Sequence, residues 1–167
     1  AGTMIGPNKK SNSSPVEKAA LIAATLGKGL GADIYQFASN CAVVPYNHMD
    51  TIHTISGTLI RQIGKVGHGT NFSSIFNGLK DKYDRIFVIS DLQGSDECKR
   101  SVADYKRKFG IDPYIYSINL CGYGTTSIKP NQKVFPLAGY SAAIYETAKT
   151  YEVDPKALIT EINNIKF

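Results

Sequence analysis

The stretch RIFVISDLQGSD, residues 85–96, contains an apolar run that ends on an acid and a polar turn. The apolar run within Arg85–Ser90 is typical of a strand that is buried on both faces at the centre of a parallel sheet. Such a strand delivers the next side chain, that of Asp91, to the carboxyl end of the sheet. Three roles are open for Asp91: a metal ligand, a catalytic base, or a cap for the following helix.

Helices and strands alternate along the rest of the chain. A capping box at Ser14–Glu17, with proline at the first helical position, predicts a helix that continues to about residue 30. Further helices are predicted at 52–63, 71–79, 97–109, 140–151 and after Asp154, and strands at 32–38, 41–44, 85–90, 114–120 and 134–137. This order predicts an α/β domain with a mainly parallel, open sheet, covered by helices on both faces and edged by a hairpin at 32–44.

The composition limits the classes of protein that need to be considered. A chain of 167 residues with 43% hydrophobic residues can bury the core of one domain. The sequence contains no membrane-spanning apolar run and no signal peptide, so we expect no membrane partner and a cytoplasmic protein. Three widely spaced cysteines give no zinc pattern and fit reduced thiols. A net charge of +5 permits a nucleic-acid or acidic partner without requiring one.

Three loops at the expected carboxyl ends of strands each offer an oxygen atom. They are AGTM with Thr3, GHGTN with Thr70, and SDLQ with Asp91. Hard cations such as Mg²⁺ prefer oxygen ligands, so these three residues form a candidate metal site. One carboxylate with neutral hydroxyls would leave the metal electrophilic, and an acidic group from a partner could complete its coordination.

At these residues the chain resembles a von Willebrand factor A domain with a metal-ion-dependent adhesion site. That site combines an Asp-x-Ser-x-Ser motif after the first strand, a threonine in a second loop and an aspartate after a later strand. Thr70 matches the second element and Asp91 the third, while AGTM resembles the end of the first motif, with Ala1 and Thr3 at the serine positions. The resemblance implies a Rossmann-like fold and a bound Mg²⁺ or another divalent cation.

Within that family, the loops around Thr70 and Asp91 and the segment LAGYSAAIYE, residues 137–146, resemble the carboxyl-terminal domain of the Ro 60 kDa autoantigen and the bacterial TROVE proteins. This resemblance implies a ribonucleoprotein whose full-length form binds small non-coding RNA of the Y type, chiefly through a helical-repeat ring that this chain lacks. It also implies a protein partner that offers an acidic residue to the metal.

The chain departs from the family pattern at its beginning. The family's first strand and leading aspartate lie upstream of Ala1, so residues 1–167 are expected to be a von Willebrand A-type fragment of a longer protein. Without this central strand, edges inside the sheet are expected to be unpaired unless another piece of the protein supplies it. Ala1 also lacks the hydroxyl of the first serine, which weakens the expected metal site.

Residues outside the metal site suggest a surface for RNA. Lys99 and Arg100 would bind phosphates, and Tyr123, in a loop near the site, could stack on unpaired bases. We therefore expect a non-enzymatic binding domain. The alternatives are an adhesion domain unrelated to RNA and an Mg²⁺-dependent phosphoryl-transfer enzyme that uses Asp91. Catalysis has little support, because the sequence shows no Gly-x-Ser-x-Gly elbow and no second carboxylate for a metal.

Overall fold

A computed structural model describes residues 14–91, 98–121, 128, 133–138 and 143–153. The strands are β1 (Tyr35–Phe37), β2 (Cys41–Val43), β3 (Arg85–Ser90), β4 (Tyr114–Asn119) and β5 (Val134–Ala138). The helices are α1 (Pro15–Leu30), α2 (Ile52–Arg61), α3 (Ser73–Gly78), α4 (Lys99–Phe109) and α5 (Ala143–Val153). Within these ranges every element has the predicted type and order. The helix predicted after Asp154 lies outside the described residues.

The described strands form two sheets. Strands β3, β4 and β5 are parallel and adjacent in that order, with Arg85 opposite Tyr114 and Ile115 opposite Val134. Strands β1 and β2 form a separate antiparallel hairpin. The predicted α/β fold with a parallel sheet is therefore confirmed. In the described residues the hairpin is not paired with β3.

Pro136 lies in β5 without disturbing the sheet. The amide of Ile115 donates to the carbonyl of Lys133 at 2.8 Å, so the odd-numbered residues of β5 bond to β4. In a strand of a parallel sheet, the backbone N–H and C=O groups of one residue point to the strand on one side, and those of the next residue point to the other side. The nitrogen of Pro136 therefore faces away from β4, where a missing N–H group costs no ladder hydrogen bond.

Helices cover both faces of the parallel sheet. On one face, Ile86 and Val88 pack in a cluster with Tyr105 of α4. On the other face, Ile89 packs in a cluster with Ile22 of α1. Strand β3 is apolar on both sides because Ile86 and Val88 are buried on one face and Phe87 and Ile89 are half-buried on the other. None of the helices in the described ranges has the length and apolar character needed to cross a membrane.

Helix α1 begins and ends as the sequence predicts. The amide of Ser14 donates to Glu17 at 2.7 Å, and the amide of Glu17 donates to the Ser14 hydroxyl at 3.3 Å, which completes the capping box. Gly31 ends the helix with a φ of 64°, a conformation that glycine adopts without strain. Ala24 of α1 and Ile55 of α2 are both fully buried in the same cluster, so α2 packs directly on α1.

An ion pair ties α5 to the amino end of β3. The guanidinium of Arg85 donates to both carboxylate oxygens of Glu152, at 2.5 and 2.6 Å. The hydroxyl of Tyr116 donates to the same carboxylate at 2.7 Å. The hydrogen bonds from Arg85, and to a smaller extent the one from Tyr116, hold the pKa of Glu152 below its ordinary value of 4.5.

Replacement of Glu152 should therefore make stability less dependent on pH. Glu152→Gln is expected to lower the free energy of unfolding at neutral pH by about 1–2 kcal/mol, a range reduced for solvent screening because the Arg85 side chain is 52% exposed. A depressed carboxyl pKa stabilises the folded state above pH 4.5, and this contribution is lost as pH falls through the folded pKa. The difference between the two proteins should shrink towards acid, measured by urea unfolding at about pH 7 and about pH 3.

Glu146→Gln is the matched control, because Glu146 is exposed on the same helix and forms no ion pair with a described residue. Equal losses of stability in both variants would contradict a specific role for the pair.

Candidate functional site

Asp91 lies immediately after β3 and is only 1% exposed. The hydroxyl of Ser90 lies 3.3 Å from one of its carboxylate oxygens and donates to it. Asp91 does not cap α4, because that helix begins at Lys99 with Cys98 in the capping position. A carboxylate at this depth is stable only with hydrogen-bond donors or a cation around it, which leaves the ligand role open.

The glycines of GHGTN allow its loop to pack against the hairpin. A Cβ atom on Gly67 or Gly69 would lie 2.9 or 2.8 Å from the Ser39 hydroxyl oxygen, closer than side-chain carbons approach. The amide of Gly69 donates to that oxygen at 3.1 Å. The amide of Gly69 is therefore used inside the protein and is not free to bind an anion. His68, between the two glycines, is exposed.

Thr70 is held in place by its neighbours in the sequence. The amide of Asn71 donates to the carbonyl of Ala38 at 3.0 Å, which fixes the loop to the end of β1. The side chain of Asn71 accepts from the amide of Ser74 at 3.1 Å and so orders the first turn of α3. Thr70 thus lies between two backbone anchors, at Gly69 and Asn71, and its position follows from them.

Thr70 and Asp91 line one cavity of about 310 Å³, which lies between β1 and β3. The fold thus brings together two of the three residues that the sequence selects as metal ligands. Thr3, the third, lies outside the described residues. In the described ranges, no group of three or more His, Cys, Asp or Glu side chains could hold a metal. A metal here would depend on Asp91, on hydroxyl groups and on ligands outside those ranges.

Two residues not predicted to belong to this site, Cys121 and Lys18, interact electrostatically there, Cys121 with Asp91 and with Lys18. Burial raises the pKa of the Cys121 thiol, and the negative charge of Asp91 raises it further, while Lys18 of α1 opposes the shift. Cys121 follows β4 as Asp91 follows β3. The position of Cys121 after a strand predicted to run parallel to β3 is the sequence signal that could have identified this residue.

The residues predicted to bind RNA begin a different element. Lys99 and Arg100 are exposed in the first turn of α4, and the Arg100 side chain is 96% exposed. Arg100 lies 4.0 Å from Asp104, a distance at which exposed charges attract only weakly. Tyr123 lies outside the described residues. The structure therefore presents the two basic side chains to solvent.

Comparison with known proteins relates the chain to others by fold. No protein-family profile matches the sequence, and no curated protein matches it. The crystal structure of the RO (RSR) protein of Deinococcus radiodurans is similar, with a TM-score of 0.63 and 14% sequence identity. The match covers 90% of this chain and 32% of that one, so this chain spans about a third of the length of the RO protein. The predicted resemblance to Ro proteins is thus confirmed at the level of the fold.

Removal of the Asp91 charge should make Cys121 more reactive. Asp91→Asn is expected to lower the pKa of the thiol, because the negative charge of Asp91 now opposes formation of the thiolate. At a fixed, mildly alkaline pH, Cys121 should then react faster with iodoacetamide, measured by mass spectrometry of its peptide. Asp84→Asn, just before the other end of β3, is the control and should leave the rate unchanged. An unchanged rate in Asp91→Asn would contradict the proposed proximity.

Proposed function

We propose that this chain is a non-enzymatic binding domain of a Ro-like ribonucleoprotein and that it holds a divalent cation at the carboxyl end of its sheet. Asp91, Thr70 and Thr3 would be the protein ligands. The observation that carries the proposal is the buried carboxylate of Asp91, which lines the same cavity as Thr70. The fold shared with the RO protein supports the ribonucleoprotein context.

The ligand set favours binding over catalysis. Mg²⁺ or a similar hard cation is bound by carboxylate and hydroxyl oxygens, and one carboxylate neutralises its charge only in part. The remaining charge would attract an acidic residue of a partner protein. Phosphoryl transfer on two metals calls for further carboxylates, whereas the described groups that interact with Asp91 include the hydroxyl of Ser90 and the thiol of Cys121.

The described cysteines are free, which fits a protein of the reducing cytoplasm. Cys41 is half-buried, and burial raises the pKa of its thiol to about 11. A thiol with so high a pKa is a poor nucleophile at neutral pH. Cys98 is 1% exposed in the core, where it acts as a small apolar side chain.

Metal binding should require the charge of Asp91. Isothermal calorimetry with Mg²⁺ or Mn²⁺ is expected to show saturable binding. Asp91→Asn should weaken this binding by about tenfold or more, because the asparagine side chain lacks the negative charge of the carboxylate. Asp81→Asn is the matched control, since the Asp81 residue is exposed and outside the cavity. Equal binding by both variants, or none by the unaltered chain, would overturn the metal site, provided that circular dichroism shows folded protein.

The RNA surface is the second part of the proposal. Lys99 and Arg100 are neighbouring exposed cations at the start of α4. Exposed lysine and arginine bind RNA phosphates and release counterions, so this contact should weaken steeply with salt. Tyr123 would add base stacking, and the full-length protein would make most of the contacts with a small non-coding RNA of the Y type.

Binding of a Y-type RNA should lose salt sensitivity when the two cations are removed. The double variant Lys99→Ala/Arg100→Ala is expected to flatten the slope of log affinity against log salt by about 1.4, at roughly 0.7 per phosphate contact to a single strand. Fluorescence polarisation between about 50 and about 200 mM salt measures this slope. The control is the double variant Arg61→Ala/Lys65→Ala, which removes two exposed cations at and just after the end of α2. Identical slopes for the two double variants would instead favour an interaction domain unrelated to RNA.

A further inference from the structure

Helix α4 is the most basic helix in the described ranges. Five cations and one acid, Asp104, give its 11 residues a net charge of +4, whereas the whole chain carries +5. So dense a charge creates a local potential that attracts anions. The five cations are Lys99, Arg100, Lys106, Arg107 and Lys108.

Part of this charge lies on a single side of the helix. Ser101 and Tyr105 are buried and mark the side that packs on the core. At 3.6 residues per turn, four exposed residues on the opposite side fall within an arc of about 100°. These four residues, here called the α4 face, are Lys99, Arg100, Ala103 and Arg107.

The acid beside the α4 face neutralises its cations only in part. Asp104 accepts a hydrogen bond from Arg107 at 2.6 Å and lies 4.0 Å from Arg100, so one carboxylate is shared by two guanidinium groups. Lys99 forms no ion pair with a described residue. The side chains of Arg100 and Arg107 are 96% and 80% exposed, and ion pairs so exposed are weak. An incoming anion can therefore replace the carboxylate at these guanidinium groups.

The α4 face offers cations but no surface on which a base could stack. The aromatic side chains of the helix point elsewhere, since Tyr105 is 2% exposed and contacts the half-buried Phe109 with ring centroids 4.9 Å apart. Unpaired bases are recognised by stacking and by contacts to their edges, whereas lysine and arginine bind phosphates whatever the sequence. The small side chain of Ala103, between the cations, leaves room for a phosphate backbone to approach the helix.

We infer that the α4 face binds RNA phosphates along two turns of the helix, independently of the base sequence. The inference rests on the proposed RNA function, and it extends the contact from Lys99 and Arg100 to Arg107, about 10 Å further along the helix axis. It also gives Asp104 an opposing role, because the carboxylate occupies Arg107 and repels phosphate.

The same observations disfavour two other anionic partners. Protein interfaces depend on apolar or aromatic anchors, and the four residues of the α4 face include none larger than alanine. A helix that binds a membrane surface inserts its apolar side, but the apolar side of α4 is packed in the core, where Tyr105 is buried.

A negative charge in the middle of the α4 face provides the first test. The probes are two fluorescent single-stranded RNAs of unrelated sequence, about 16 nucleotides long, and the duplex of one of them with its complement. Ala103→Glu should weaken the binding of all three by about tenfold at about 50 mM salt, measured by fluorescence polarisation. Equal factors are expected because only phosphates are contacted, and any base contact made elsewhere in the chain is the same in both proteins.

Thr25→Glu is the matched control. Thr25 is exposed on α1, which packs on the opposite face of the sheet, so the variant has the same net charge as Ala103→Glu and carries the new charge far from α4. Its binding should stay within about twofold of the unaltered chain.

The substitution Asp104→Asn should have the opposite effect. Removal of the carboxylate frees Arg107 and is expected to strengthen the binding of all three RNAs by about threefold. A gain of affinity cannot result from damage to the fold. Glu146→Gln, an exposed position on α5 at the opposite face of the sheet, removes the same charge and should leave the affinity nearly unchanged.

The inference and the proposed function fail in different ways. If the unaltered chain binds no RNA at about 50 mM salt, or binds only vesicles that contain phosphatidylserine, both are overturned. If Lys99→Ala/Arg100→Ala weakens RNA binding but Ala103→Glu and Thr25→Glu have equal effects, the proposed function stands and the α4 face is wrong. A loss in Ala103→Glu that is confined to one sequence, or to single strands, would show that bases are read there and would overturn the sequence-independent contact.

Discussion

The packing of apolar side chains on both faces of β3 is the constraint on which the remaining structure depends. A strand with apolar side chains on both sides needs a helix layer on each face, and α1 and α4 supply these layers. The parallel ladder with β4 then fixes the direction of both strands. Because parallel strands end at the same edge of a sheet, this ladder also places the residues that follow β3 and β4 side by side.

The candidate site is a consequence of that geometry. Asp91 and Cys121 follow adjacent parallel strands, and the negative charge of the first raises the thiol pKa of the second. Thr70 lies at the same cavity for a different reason, because its loop forms hydrogen bonds with Ser39 and with the residue after β1. The parallel sheet thus fixes the position of Asp91, and the packing of a loop fixes the position of Thr70. The fit of this loop depends on Gly67 and Gly69, where an added Cβ would press on the Ser39 hydroxyl.

The proposed metal ligands share their cavity with two strands. Asp91 and Thr70 line it together with residues of β1 and β3. The cavity therefore joins residues of the hairpin and of the parallel sheet, which are separate sheets in the described ranges.

Short sequence patterns account for the local structure. The capping box at Ser14, the apolar run that ends at Asp91 and the alternation of helices and strands predicted every described element, because hydrogen bonding and hydrophobic periodicity act over a few residues. The sequence also selected Thr70 and Asp91. Both residues meet at one cavity, and Cys121 comes within electrostatic range of Asp91 and of Lys18, only in the folded chain. Those features depend on contacts between residues far apart in the chain, which no local pattern encodes.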